Sequence, residues 1–261
     1  MIDDPTAYFV PGPDGLAPVP EARSPWSAGM LHGRLLSGLA ARAVEKSGHD
    51  PALQVARLTV DMFRSPPMRP LTVATNVVRD GRRVRVVDAS IRSDDLEVAR
   101  ARALLLRTGT HPDATPWQAP DWDAAPPERV PAPSDGAGNG GWDIRLLSPG
   151  GFWTAQRKRL WARDRRQLVA GEELSPVVRA ALAADLPNPL ANSASEGLQF
   201  INADLTLFLG RHPTSEWIGL EVTDHVGRDG IAVGSCRLYD TSGAIGSASV
   251  CAITNAATLA D

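Results

Sequence analysis

Apolar residues recur at helical intervals from Ser27 to Ser47, which predicts a first helix. After Pro51 the pattern changes to alternation with many β-branched residues, as is typical of an antiparallel sheet. Before the helix, residues 1–25 are rich in turn formers and contain one short predicted strand at Ala7–Val10. The predicted strands after the helix are Gln54–Phe63, Leu71–Arg79, Val84–Arg92 and Glu97–Arg107.

The second half of the chain repeats this order of elements. The segment Leu58–Arg64 aligns without gaps on Leu205–Arg211, and a proline follows each within two residues. We therefore predict two copies of one α+β unit, whose sheets can join edge to edge and so remove two exposed strand edges. The predicted strands of this half are Trp142–Leu147, a segment around Gln156–Arg163, Gln199–Arg211, Glu216–Val226, Ile231–Tyr239 and Ile245–Ile253.

The second predicted helix carries one acidic residue in its apolar stripe. Ser175 suits the start of this helix, and Pro187 limits it to about Leu186. The stripe that begins at Val178 reaches Asp185 seven residues later, where an aliphatic residue is expected. Asp185 is either a carboxylate that points to solvent or caps a loop, or a general base at the wall of a pocket.

Composition narrows the classes of function. Of 261 residues, 43% are hydrophobic and 22% charged, and the formal net charge of −3 without a long basic block argues against nucleic acid as a partner. No apolar run is long enough to span a bilayer, and no secretory signal pattern is present, so the cytoplasm is the expected location. The two cysteines, Cys236 and Cys251, predict neither a disulfide framework nor a metal site.

A stretch rich in Pro, Asp and Gly separates the two units. We accordingly divide the chain into an N-terminal unit at 1–110, a linker at 111–141 and a C-terminal unit at 142–261.

Several short motifs occur in one consistent order along the chain. Arg159–Arg163 contains Trp-x-Arg, Ala183–Leu186 contains Ala-Asp, Asn202–Asp204 resembles Thr-x-Asp, and Met30–Gly33 resembles Phe-Gly-Gly. In these motifs the sequence resembles the acyl-CoA thioesterases of the thioesterase II type. The resemblance implies two tandem hotdog folds, each a long helix wrapped by an antiparallel sheet, joined as a double hotdog.

The resemblance also implies a site. In that family an Asp, a Thr and a Gln hold the water that attacks the thioester carbonyl. The Asp corresponds to Asp185 and the Thr to Asn202. The Gln position falls on or near Cys251, with Ser249 as the nearest polar alternative. The turn His32–Gly33 is the expected surface for the substrate and the oxyanion, because a helix N-terminus offers free N–H groups.

Acyl-CoA hydrolysis with no cofactor is the favoured function, either by Asp185-assisted attack of water or through an acyl-enzyme on that carboxylate. A catalytically weak acyl-thioester binding module is the alternative, because Asn202 and Cys251 depart from the family's pattern. A hydratase is a third interpretation, which His212 and His225 support poorly. The ligand expected in each thioester case is an acyl-CoA, and a homodimer or higher homo-oligomer stays open.

Overall fold

The computed structural model describes residues 7–48, 50–133, 141–151 and 153–255. The ends of the predicted N- and C-terminal units, and residues 134–140 of the predicted linker, therefore lie outside the described residues. In the first half, one α-helix follows a hairpin and precedes four antiparallel strands, of which the first pairs with the last. These elements are β1 (Ala7–Gly12), β2 (Gly15–Pro18), α1 (Arg34–Lys46), β3 (Leu53–Met62), β4 (Thr72–Asp80), β5 (Val84–Ser93) and β6 (Leu96–Arg107).

The second half has the same plan with extra short elements around its helices. They are β7 (Trp142–Leu146), β8 (Arg159–Asp164), β9 (Gln167–Val169), α2 (Pro176–Ala183), α3 (Pro187–Ala191), β10 (Ser193–Ala194), β11 (Gly197–Leu198), β12 (Phe200–Asn202), β13 (Asp204–Leu209), β14 (Ile218–Arg228), β15 (Ile231–Asp240) and β16 (Gly243–Thr254). Single turns of 3-10 helix lie at Pro20–Ala22 and Pro127–Arg129. Within the described ranges, no helix has both the length and the apolarity that crossing a bilayer requires.

One antiparallel sheet joins the two halves. Its strand order is β4-β5-β6-β3-β13-β16-β15-β14-β8-β7, with β12 paired to β16. The joint is the antiparallel pair β3–β13, in which Thr59 faces Thr206 and their hydroxyls are 3.1 Å apart. These two threonines occupy the same position in the repeated segments, so the joint has approximate two-fold symmetry. The predicted α+β class and the edge-to-edge union of the two sheets are confirmed.

The helices cover one face of this sheet. Alternation along each strand directs one set of side chains into the core, as in β16, where Ala248, Val250 and Ala252 are buried. Helix α1 packs on β4, β5 and β6, α3 packs on β14, β15 and β16, and α1 and α2 pack against each other. The contact between α1 and α2 brings elements of both halves to one place.

Both helices differ from their predicted bounds. The first starts at Arg34 rather than Ser27, because the preceding residues form bridges, including Arg23 with Leu31. The second is interrupted: α2 ends at Ala183, and Pro187 then starts α3 instead of only ending a helix. Proline lacks an N–H but suits the first turn of a helix, which explains how one residue can do both.

Gly38 lets α1 approach α2 closely. A Cβ placed there would lie 2.8 Å from Cδ2 of Leu182 and 3.2 Å from Cδ2 of Leu168. We expect Gly38→Val to lower the free energy of unfolding by about 1–3 kcal/mol, through overpacking of this contact. Urea denaturation measures the change, with Ala43→Val on the half-buried side of the same helix as the matched control. Equal losses in both variants would contradict the assigned packing role.

Candidate active site

Asp185 lies in the turn between α2 and α3. The predicted start of α2 is confirmed, since Ser175 Oγ accepts the N–H of Val178 at 3.1 Å. The helix ends two residues before Asp185, so the acid is not part of a continuous helical stripe. Its residue exposure is nevertheless only 8%. A carboxylate this buried needs hydrogen-bond donors or a ligand to compensate for lost hydration.

Asn202 supplies one such donor, because its Nδ2 lies 2.8 Å from Asp185 Oδ1. Asn202 faces inward because the strand pairing shifts by one residue at Ala203. Asn202 pairs with Ala252 and Thr206 with Ser249, so four steps along one strand oppose three along the other. Such a bulge reverses the face to which the following side chains point.

His32 and Gly33 approach the same carboxylate from the N-terminus of α1. His32 Nδ1 lies 3.7 Å from Asp185 Oδ2, and a Cβ placed on Gly33 would lie 3.9 Å from Asp185 Oδ1. The same Cβ would lie 3.5 Å from Sδ of Met62, so one side of the site is apolar. The fold thus brings together four of the six residues predicted from the sequence, two from each half of the chain.

Burial sets the electrostatics of this cluster. It raises the pKa of the Asp185 carboxyl, against the hydrogen bond from Asn202 and the positive charge of Arg34. Burial, followed by the charge of Arg34, lowers the pKa of His32 to about 3. The imidazole is therefore neutral near pH 7, and its approach to Asp185 is not an ion pair.

Three polar groups at the site lack protein partners within the described residues. They are Asp185 Oδ2, His32 Nδ1 and the Gly33 N–H. His32 Nδ1 is buried, and buried polar groups in folded proteins are nearly always hydrogen-bonded, so this unpaired nitrogen beside two further unpaired groups indicates a site for a ligand or solvent. An acceptor, an imidazole nitrogen and a backbone donor suit a reaction in which a proton leaves one atom while negative charge develops on another.

Ser249 and Cys251 do not join this cluster. They alternate with the buried Val250 and Ala252 on β16 and so point to the outer face of the sheet. There Ser249 Oγ lies 2.9 Å from Ser235 Oγ. The structure thus separates these two predicted substrate-binding residues from Asp185, because Val250 and Ala252 take the core-facing positions of this part of the strand.

The Cys251 N–H donates to Asp204 Oδ1 at 2.6 Å on that outer face. Burial and the nearby Asp204 carboxylate raise the pKa of the Cys251 thiol. Neither effect favours the thiolate, the reactive form of a cysteine.

Arg34, Asn188 and Asn192 were not selected from the sequence, although each belongs to the site or to its support. Arg34 directly follows the predicted turn His32–Gly33, so its neighbourhood could have indicated it. Its guanidinium donates to Asp164 Oδ2 and, at 2.6 Å, to the hydroxyl of Tyr8. Asn188 lies in α3 and Asn192, four residues later, caps its C-terminus, a spacing that places both on one face of the helix.

The described residues contain no group of three or more His, Cys, Asp or Glu side chains arranged to hold a metal ion.

Comparison with known proteins supports the assignment of the fold and of the family. Residues 22–106 match the family model described as acyl-CoA thioesterase N-terminal domain, and residues 111–249 match the acyl-CoA thioesterase C-terminal domain. A search of curated proteins finds no match.

Similar solved structures include a protein from Thermobifida fusca described as a putative thioesterase II, at 18% identity and a TM-score of 0.71, with 97% of each chain covered. The tesB protein MAP1729c of Mycobacterium avium subsp. paratuberculosis aligns at 13% identity and a TM-score of 0.69, covering 89% of this chain and 90% of that one. Acyl-CoA thioesterase II TesB2 from Mycobacterium marinum aligns at 19% identity and a TM-score of 0.63, covering 85% and 90%. The chain belongs to the acyl-CoA thioesterase family and has the double hotdog fold of the thioesterase II type.

Proposed function

We propose that this chain hydrolyses the thioester of a fatty or other hydrophobic acyl-CoA to the free acid and CoA, with Asp185 as the general base. The observation that supports this most directly is the convergence of Asp185, Asn202, His32 and Gly33 from both halves of the fold on one point. Membership of the acyl-CoA thioesterase family supports the choice of substrate class.

The two carboxylate oxygens of Asp185 have different roles. Oδ1 accepts from Asn202, which fixes the plane of the carboxylate, while Oδ2 is left for a water molecule. The ionised carboxylate takes a proton from this water as its oxygen attacks the thioester carbonyl. Burial favours proton uptake, because a raised pKa makes the carboxylate a stronger base than an exposed aspartate.

The Gly33 N–H is positioned to stabilise the negative charge that develops on the carbonyl oxygen. It is a backbone donor at the N-terminus of α1, and the missing side chain allows a substrate to approach the backbone. When the tetrahedral intermediate collapses, the carbon–sulfur bond breaks. The proton held by Asp185 then passes to the departing CoA thiolate, which restores the carboxylate.

A catalytically weak acyl-thioester binding protein is the second candidate function. The observation that favours it is the orientation of Cys251 and Ser249. In the family this part of the chain carries the glutamine of the site, but here neither side chain is directed at Asp185. Such a protein would keep the binding surface at His32–Gly33 but turn over slowly.

A panel of acyl-CoAs of increasing chain length separates the two functions. Free thiol release is followed for each substrate, and binding is measured in parallel by calorimetry. Catalytic turnover of at least one hydrophobic acyl-CoA supports the hydrolase. Tight binding of acyl-CoA without thiol release would overturn it in favour of the binding protein.

Asn202→Val is expected to lower kcat about 10-fold, because it removes one charge-assisted hydrogen bond to the base. The same hydrogen bond holds the pKa of Asp185 down, so its loss raises that pKa further. Activity needs the ionised carboxylate and rises with pH through this pKa. The acid limb of the kcat/KM profile is therefore expected to move to higher pH.

The control for this variant is Thr206→Val on the outer face of β13, which makes a similar exchange away from the site. We expect it to leave both kcat and the pH profile unchanged. An acid limb that stays in place in Asn202→Val would contradict the assigned role of the amide.

A further inference from the structure

Resting on the proposed function, we propose that Asn188, Asn192 and His225 are positioning residues that hold the amide of Asn202 with its NH₂ group directed at Asp185. They form one continuous chain of hydrogen bonds that runs from the exposed rim of the sheet to the buried carboxylate.

The chain consists of four hydrogen bonds between side chains. His225 Nδ1 lies 2.8 Å from Asn192 Oδ1, and Asn192 Nδ2 donates to Asn188 Oδ1 at 3.0 Å. Asn188 Nδ2 donates to Asn202 Oδ1 at 3.3 Å, and Asn202 Nδ2 donates to Asp185 Oδ1 at 2.8 Å. Asn188 and Asn192 are 3% and 4% exposed, so water does not readily replace these partners.

The direction of donation is fixed at Asn188. Asn188 Nδ2 also lies 3.2 Å from the carbonyl oxygen of Phe200, and a carbonyl oxygen only accepts. The Oδ1 atom of Asn188 must then accept from Asn192, whose own oxygen faces His225. An amide oxygen cannot donate, so His225 Nδ1 must carry a proton.

The surrounding backbone leaves room for this chain and holds it in place. Gly234 on β15 pairs with His225 on β14, and a Cβ placed on Gly234 would lie 2.8 Å from Asn192 Oδ1. The buried Nζ of Lys158 donates to the carbonyl oxygens of Leu190 and Ser193 at 3.0 and 3.1 Å, which fixes the C-terminal end of α3.

Orientation of an amide matters here because its two ends have opposite polarity. With its oxygen toward Asp185, Asn202 would repel the ionised carboxylate instead of donating to it. Nothing in the shape of an asparagine side chain prevents this half-turn, since its oxygen and nitrogen are nearly equal in size. The carbonyl oxygen of Asp204, 3.5 Å from Asn202 Nδ2, favours the observed orientation, and Asn188 reinforces it by donating to Asn202 Oδ1.

The test begins at the exposed end, where substitution does not disturb the core. His225→Leu removes the donor to Asn192, whereas His225→Asn places an amide donor near the position of Nδ1. We expect kcat to fall about 3-fold in His225→Leu and to be restored in His225→Asn, with KM nearly unchanged in both. His111→Leu, at another exposed histidine, is the matched control and is expected to leave kcat and KM as they are.

Asn192→Leu interrupts the chain at its buried centre and is expected to lower kcat about 10-fold at nearly constant KM. Its thermal unfolding is measured alongside, so that only folded protein is compared. If kcat in both His225→Leu and Asn192→Leu equals that of the wild-type protein, the positioning role is overturned.

A spectroscopic measurement tests the chain without any substrate. Long-range ¹⁵N–¹H correlation spectra at mildly alkaline pH report which ring nitrogen of His225 carries the proton. We expect Nδ1–H in the wild-type protein and a mixture with Nε2–H in Asn192→Leu. A wild-type Nε2–H tautomer would overturn the chain even in an active enzyme, whereas absence of acyl-CoA hydrolysis by the wild-type protein would overturn the proposed function instead.

Discussion

Asp185→Asn is expected to lower kcat for acyl-CoA hydrolysis by about 10²–10⁴-fold, the range that a positioned general base contributes. Asparagine has the same shape and keeps an oxygen for the donor Nδ2 of Asn202, but an amide cannot take a proton from water at neutral pH. KM is expected to change little, because the interaction that is lost forms only as the water is deprotonated. Steady-state release of CoA thiol measures both constants.

Asp204→Asn is the matched control for this experiment. Asp204 is also a partly buried acid with a raised pKa, caused first by burial, but it lies on the outer face of the sheet beside Cys251. We expect its substitution to leave kcat unchanged. Activity that persists in Asp185→Asn would show that another group removes the proton from water.

Asp185→Asn is also expected to stabilise the protein at neutral pH by about 1 kcal/mol, since residues adapted for activity often cost stability. The sign follows from the raised pKa of Asp185. The native state favours the protonated carboxyl, so this group's contribution to stability is present at low pH and is lost as pH rises through the raised pKa. Asparagine avoids that loss. Urea denaturation at neutral and acidic pH measures the difference, which should shrink as the pH falls.

Arg34→Met is expected to lower the free energy of unfolding by about 3–5 kcal/mol, the usual cost of removing one partner from a buried ion pair. The side chains of Arg34 and Asp164 are only 1% and 2% exposed. The guanidinium also lies over the rings of Tyr8 and Trp142, with its central carbon 4.8 and 4.5 Å from their centroids. Methionine leaves the Asp164 carboxylate buried with fewer donors, which is the source of the loss.

Two further variants make this result interpretable. Arg42→Met removes a partly exposed ion pair with Glu172 from the same helix and is expected to cost about 1 kcal/mol or less. The double variant Arg34→Met/Asp164→Leu removes both buried charges and should recover much of the loss. Chemical denaturation compares the three proteins. A loss in Arg34→Met no larger than that in Arg42→Met would contradict the buried pairing.

Local sequence patterns were enough to predict the class of the fold and an edge-to-edge union of its two sheets. The gapless alignment of Leu58–Arg64 on Leu205–Arg211 identified two equivalent strands, and the structure shows that these two strands form the joint, where Thr59 pairs with Thr206. Periodicity and turn residues act over a few positions, so they were sufficient to locate most strands. The position of Asp185 was recognisable for the same reason, as an acid where an apolar residue was expected.

Which side chains meet at Asp185 was decided by the tertiary structure. The shifted pairing at Ala203 directs Asn202 inward, while the regular alternation of β16 directs Cys251 outward. Neither orientation is encoded in a local motif, because each depends on how distant strands align.

By itself, then, the sequence determined two tandem α+β units and an acid in the apolar stripe of the second. Only the packing of α1 from the first unit against α2 placed His32 and Gly33 beside that acid. Likewise, α3 had to rest on β14 before Asn192 and His225 could meet. Hydrophobic periodicity specifies which faces are buried, but the contacts of individual polar atoms depend on the relative positions of elements far apart in the chain.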